Sequence, residues 1–120
     1  MTETERRARM EIAEIRDEMA VIIERNLLSR FARAAPKDRI AIEVTARLAE
    51  HVSYSTRQIR GRGCNELDAE QHISGTQTLL NGLHGLGTDR IAGTMAETIA
   101  IDALQVSAAI RACAQPIGTA

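Results

Sequence analysis

Three arginines near the middle of the chain could bind an anion. Arg57 and Arg60 are three residues apart and share one helical face, and Arg62 follows between two glycines. Guanidinium groups bind phosphate and carboxylate oxygens through paired hydrogen bonds. Arginines near a helix C-terminus are also stabilised by the helix dipole, without any ligand. We predict this second role and keep anion binding, with Arg9 as a further clamp, as the alternative.

The chain contains three histidines, which are His51, His72 and His84. Di-iron helical bundles place a glutamate and a histidine three residues apart, so that both ligands lie on one helical face. Here His51 directly follows Glu50, and His72 lies two residues after Glu70. Neighbours one or two apart on a helix point in different directions, so neither pair can chelate one ion. We predict no metal and no cofactor.

The two cysteines, Cys64 and Cys113, match neither a CxxC pair nor a zinc-ligand spacing. We expect both to remain reduced in the cytosol. Cys64 precedes a predicted helix N-terminus, which can lower a thiol pKa, but the sequence ties no histidine or carboxylate to it. We predict an inert thiol. Since no nucleophile–base pair can be recognised, we assign no catalytic residue.

Two polar residues interrupt apolar helical stripes. Asn26 follows Ile22 at heptad spacing, and Asp102 lies between Ile99 and Val106. A polar residue on an apolar seam costs stability unless it has a partner. One such asparagine commonly fixes the register and oligomeric state of packed helices. We predict that Asn26 and Asp102 specify packing. The alternative places Asp102 in a ligand-binding cavity.

The composition favours a single helical domain. The chain has 120 residues, of which 44% are hydrophobic, 26% charged and 2% aromatic. So few aromatic residues argue against a β-sandwich or barrel and against nucleic-acid binding by base stacking. The net charge of −1 creates no overall field that would attract DNA or an anionic membrane. The polar N-terminus and the charges within the apolar segment 91–114 predict a cytoplasmic protein without a membrane span.

Start and stop signals divide the chain into four helices. We predict helices over 3–35, 38–60, 66–84 and 89–114, followed by a frayed tail at 115–120. Pro36, the glycine-rich segment 61–65 and the Gly85–Gly87 segment separate them. Connections this short favour antiparallel neighbours. The predicted fold is therefore an all-α, antiparallel four-helix bundle that forms one domain, 1–120.

Apolar spacing in the first and fourth helices predicts self-association. The seam of the first helix consists of Ile12, Ile15, Met19, Ile22 and Asn26, and that of the fourth of Met95, Ile99 and Val106. The first helix, at roughly 50 Å, is longer than a compact bundle of this size needs. Residues 63–120 carry only 2 of the 15 basic side chains, as expected for a buried segment. We predict a homo-oligomer, most simply a dimer, with these residues at its interface.

Two classes of function follow from this pattern. The first is a non-enzymatic, cytoplasmic interaction or regulatory module, whose partner is a second copy or another protein. The alternative is a small helical-bundle enzyme or binder of an anionic metabolite, held between helices by Arg57, Arg60 and Arg62 with Asp102 nearby. Neither class involves nucleic acid or a membrane. The lack of a recognisable catalytic group favours the first.

Overall fold

The chain folds as four helices. A computed structural model describes residues 2–31, 33–87 and 95–114, apart from the side chains at 6, 37, 61 and 62. These residues form α1 (Glu3–Phe31), α2 (Pro36–Arg62), α3 (Glu66–His84) and α4 (Met95–Cys113), and they include no strand. The predicted all-α four-helix bundle is confirmed. The predicted start of the fourth helix at 89 and the tail at 115–120 lie outside the described residues.

Consecutive helices pack side by side in opposite directions. Glu14 and Asp17 of α1 contact Arg60 and Ser53 of α2, so a step forward along α1 matches a step back along α2. α1 and α3 each contact both α2 and α4, and α2 also contacts α4. The resulting bundle is 53 Å long and 23 by 20 Å across.

The helix ends follow the local chemistry of the sequence. At the start of α3 the Asp68 amide donates to Asn65 Oδ1 at 2.9 Å, and the Asn65 amide donates to Asp68 Oδ2 at 3.3 Å. Beyond α2, Gly63 adopts a φ of +71°, a left-handed conformation that favours glycine. Several boundaries differ from prediction. α1 ends at Phe31 rather than 35, and α4 ends at Cys113 rather than 114. α2 runs over Pro36–Arg62 rather than 38–60, because proline fits the first helical turn.

The core combines aliphatic side chains with small hydroxyl residues. Its largest fully buried aliphatic side chains are Leu48, Val52, Leu80, Leu83, Ile99, Val106 and Ile110. Thr45 and Thr56 are also buried, and each donates its hydroxyl to the carbonyl one turn earlier, at 2.6 and 2.9 Å. Such local hydrogen bonds allow hydroxyl groups to lie in an apolar interior.

α1 packs on the core through small residues rather than through its predicted seam. Ala13 and Ala20 are 1% and 0% exposed, and Ile23 and Leu27 extend this buried face. The large side chains of the seam lie on the surface, with Ile12 39%, Ile15 57%, Met19 37% and Ile22 54% exposed. Alanines let α1 approach its neighbours closely, so the bulky stripe is turned outward.

The seam of α4 is instead buried within the chain. Ile99 and Val106 are 0% and 2% exposed, and Met95 is half-buried. The interface prediction therefore needs correction at Ile99 and Val106. Their surfaces already contact the core of the same chain, so they cannot also contact a second copy.

Candidate functional site

An exposed apolar surface runs along α1 and α4. On α4 it includes Ile101 and Leu104, which are 49% and 55% exposed. On α1 it is the outward-facing part of the predicted seam. We call the following six residues the α1/α4 face: Ile12, Ile15, Met19, Ile22, Ile101 and Leu104.

Helical geometry places the α1 half of the α1/α4 face and Ile101 on one side of the bundle, with Leu104 at the outer edge of α4. Arg16 and Asp102 mark the line where α1 and α4 meet, because their side chains are 2.9 Å apart. Successive residues of a helix are rotated by roughly 100° about its axis. This rotation places Met19, relative to Arg16, and Ile101, relative to Asp102, toward the outside of the bundle. Because α1 and α4 are antiparallel, the two rotations lead to the same outer side. The groove between Ala8 and Ile12 of α1 and Ala112 of α4 continues this surface.

Beneath the face, an ion pair joins α1 to α4. Arg16 Nη1 donates to Asp102 Oδ1 at 2.9 Å, and the Asp102 side chain is only 2% exposed. Arg16 Nε and Asp102 Oδ2 are also buried and have no hydrogen-bond partner among the described residues. Burial raises the pKa of the Asp102 carboxyl, and the charge and hydrogen bond of Arg16 partly offset that rise. Asp102 thus lies in a helix–helix contact.

Two of the predicted anion-binding arginines, Arg57 and Arg60, contact a network of polar side chains between α1 and α2. Arg60 contacts Glu14 Oε1 at 3.3 Å and Asp17 Oδ2 at 3.5 Å. Ser53 donates to Asp17 Oδ1 and accepts a hydrogen bond of 2.5 Å from Arg57. Two carboxylates therefore face two guanidinium groups, which neutralises the cluster.

The remaining members of the predicted anion site do not join this cluster. Arg9 lines the groove between α1 and α4. Arg60 instead contacts the side of α1 that faces α2, and Arg57 contacts Ser53 within α2. Asp102 pairs with Arg16. The Arg62 side chain lies outside the described residues. The structure thus brings Arg57 and Arg60 together, and separates them from Arg9.

A serine–histidine contact that the sequence analysis missed connects α2 and α3. Ser55 Oγ lies 2.9 Å from His72 Nδ1, and His51 Nε2 lies 2.9 Å from the His72 carbonyl. Ser55 is 1% exposed, so a substrate cannot reach its hydroxyl. The pair therefore serves helix packing. The two residues are 17 positions apart and lie on different helices, so their spacing in the sequence did not reveal the contact.

The described histidines, cysteines and carboxylates do not assemble into a metal site. No group of three or more such side chains in the described part of the chain is arranged to hold an ion. Cys64 is buried, and burial raises the pKa of its thiol, with the Asp68 carboxylate adding to the rise. A raised pKa keeps Cys64 in the unreactive thiol form at neutral pH.

Comparisons with other proteins add no assignment. Neither protein-family models nor curated proteins nor solved structures match this chain. Among the helices of the described residues, none is long and apolar enough to cross a membrane.

Proposed function

We propose that this chain is a non-enzymatic, cytoplasmic helical-bundle module that self-associates through the α1/α4 face. The observation that carries the proposal is the exposure of six large apolar side chains on two adjacent helices, α1 and α4. Soluble monomers rarely expose continuous apolar patches beyond a few hundred Å². Covering this face would remove the largest part of that unfavourable contact with water.

The dimensions of the face suit a second copy. With Ala8, Asn26 and Ala112 at its margins, it extends roughly 27 Å along α1 and about 20 Å across the two helices. Standard protein–protein interfaces bury about 800 Å² on each partner, which a face of this size approaches. Asn26 is exposed at the end of the apolar stripe, where it would limit the interface.

The alternative, an arginine site for an anionic metabolite, has less support. A clamp needs guanidinium groups that turn toward a ligand, but Arg57 and Arg60 point their charges at Ser53, Asp17 and Glu14. A ligand would have to displace these contacts. Thermal-shift measurements with inorganic phosphate and succinate test this alternative, and we expect no saturable stabilisation by either.

Single charged substitutions on the face test self-association directly. Leu104→Asp and Ile15→Asp each place a carboxylate where a second copy would exclude water. We expect the dissociation constant to rise at least about 100-fold, because an unpaired buried charge costs several kcal/mol. Sedimentation velocity over a range of protein concentrations measures the shift from dimer to monomer.

The chain offers matched controls for both variants. Leu67 of α3 is 55% exposed, as is Leu104, and Ile40 of α2 is 56% exposed, close to the 57% of Ile15. Leu67→Asp and Ile40→Asp therefore make the same chemical change on other surfaces, and we expect them to sediment like the wild type. A folded wild-type chain that remains monomeric at high micromolar concentration would refute the proposal.

A further inference from the structure

Resting on this proposed function, we infer that the second copy binds with α1 antiparallel to its own counterpart, about a two-fold axis near residue 17. In this arrangement α4 also lies over α4 of the other copy. The inference deepens the proposal by assigning the orientation of the partner. It rests on the order of apolar and charged residues along the outer side of α1.

The apolar residues of α1 form complementary layers in this orientation. In an antiparallel coiled coil, each residue at the a position of the heptad lies opposite a residue at the d position of the other helix. Here this rule places Ile12 opposite Ile22, and Ile15 opposite Met19, of the second copy. Each layer occurs twice because of the two-fold symmetry. Asn26 then lies opposite Ala8, at the two ends of the interface. Large side chains thus occupy the centre and small or polar ones the margins.

Charged residues beside the seam complement one another in the same register. Glu11, Glu18 and Arg25 recur every seven residues on the flank of α1 that faces away from α4, and all three are exposed. The antiparallel register brings Glu11 of each copy to Arg25 of the other, giving two ion pairs. Neither Glu11 nor Arg25 has an ion-pair partner among the described residues of its own chain. At the axis, Glu18 meets Glu18.

The competing symmetric arrangement is less favourable. If the two-fold axis ran along the helices, α1 would lie over α4 of the second copy, and Glu11 would approach Arg111. Arg111 already contacts Glu70 of its own chain at 3.1 Å. Arg25 and Glu11 would then lose the mutual complementarity that their spacing provides. The antiparallel α1 pairing uses charges that are otherwise unpaired in the described structure.

A charge reversal with a compensating partner tests the orientation. Glu11→Arg places two arginines opposite each other at both flanks, and we expect the dissociation constant of the dimer to rise about tenfold at low salt. Arg25→Glu acts in the same way. The double variant Glu11→Arg/Arg25→Glu restores both pairs and should return the constant to within about twofold of the wild type. Glu50→Arg, an exposed reversal on α2, is the control.

A second variant strengthens the dimer instead of weakening it. Glu18→Gln removes the like charges at the two-fold axis, so we expect the dissociation constant to fall about threefold. If the wild type is a dimer and the double reversal weakens it as much as each single reversal does, the antiparallel α1 pairing is wrong. Self-association itself would still hold in that case. A wild type and variants that are all monomeric would instead refute the proposed function. Analytical ultracentrifugation at two salt concentrations distinguishes these outcomes.

Discussion

At the scale of single residues, the ion pair between Arg16 and Asp102 joins α1 to α4 across a buried contact. Asp102 is buried, its Oδ2 has no partner in the described structure, and Arg16 supplies its described hydrogen bond. Buried ion pairs contribute little net stability because desolvation offsets their attraction. Their contribution is positional: another register of α1 against α4 would leave the carboxylate unpaired. The pair therefore links the two helices that carry the α1/α4 face.

The pKa of Asp102 predicts how stability depends on pH. Burial raises this pKa above its ordinary value of 3.8, so the folded state binds the proton more tightly than the unfolded state. Stability then falls as pH rises from about 3.8 to the folded-state pKa, and it is level beyond. The quantity to compare is the difference in the free energy of unfolding between the wild type and Asp102→Asn. We expect this difference, wild type minus variant, to decrease as pH rises over this window. Urea denaturation between pH 3.5 and 7 measures it; a difference that increases with pH would contradict the prediction.

At the scale of helices, sequence periodicity predicted the elements better than their orientation. Apolar residues at helical spacing face the core in α2 and α3, at Leu48, Val52 and Leu80. In α1, two stripes have the same heptad spacing, one through Ala13 and Ala20 and one through Met19. Periodicity alone does not tell which stripe faces the core, and we predicted the larger side chains at an interface between copies. Close helix packing instead selected the smaller ones for the interior.

Contacts between distant residues limited the prediction of the candidate site. Asp102 was expected to specify packing, but its partner Arg16 is 86 residues away and lies outside the predicted seam. The Ser55–His72 contact likewise depends on how α2 and α3 are rotated against each other. Residue spacing shows which residues of a helix share one face. It does not show which faces of different helices contact each other. The exposed aliphatic residues of α1 were the part of the site that spacing did identify.

Two glycines of α3 show how the contact between helices gives equivalent residues different roles. A Cβ on Gly75 would lie 2.8 Å from His51 Cε1, whereas a Cβ on Gly82 has Val44 Cγ1 at 4.0 Å as its nearest neighbour. Because His51 Nε2 also contacts the His72 carbonyl at 2.9 Å, its ring cannot move without losing that contact. Gly75 thus admits the His51 ring, and Gly82 serves no comparable purpose.

We therefore expect the two alanine substitutions to change stability in opposite directions. Gly82→Ala should stabilise the protein by about 0.5–1 kcal/mol, since alanine is the better helix former. Gly75→Ala should destabilise it by about 1–2 kcal/mol, because displacement of His51 outweighs the same gain in helix propensity. Urea denaturation of both variants measures the difference. Equal stabilisation by both would show that His51 does not constrain α3.

At the scale of the whole molecule, the distribution of side-chain size explains both the fold and the proposed association. The core contains many alanines, serines and threonines, and it brings four helices together within a cross-section of 23 by 20 Å. Large aliphatic residues such as Ile15, Ile22 and Leu104 remain outside. Association through the α1/α4 face would remove these exposed side chains from water and so add hydrophobic stabilisation.

Coupling between folding and association makes thermal stability depend on protein concentration. A dimer that dissociates as it unfolds gains stability by mass action, so its Tm rises with concentration. For a chain of this length we expect an increase of about 2–4 °C for each tenfold rise above the dissociation constant. Ile15→Asp should remove this dependence while Ile40→Asp retains it, because only Ile15 lies on the α1/α4 face. Differential scanning calorimetry from about 1 to about 300 µM protein measures the effect. A wild-type Tm that does not change over this range would contradict a dimer that dissociates as it unfolds.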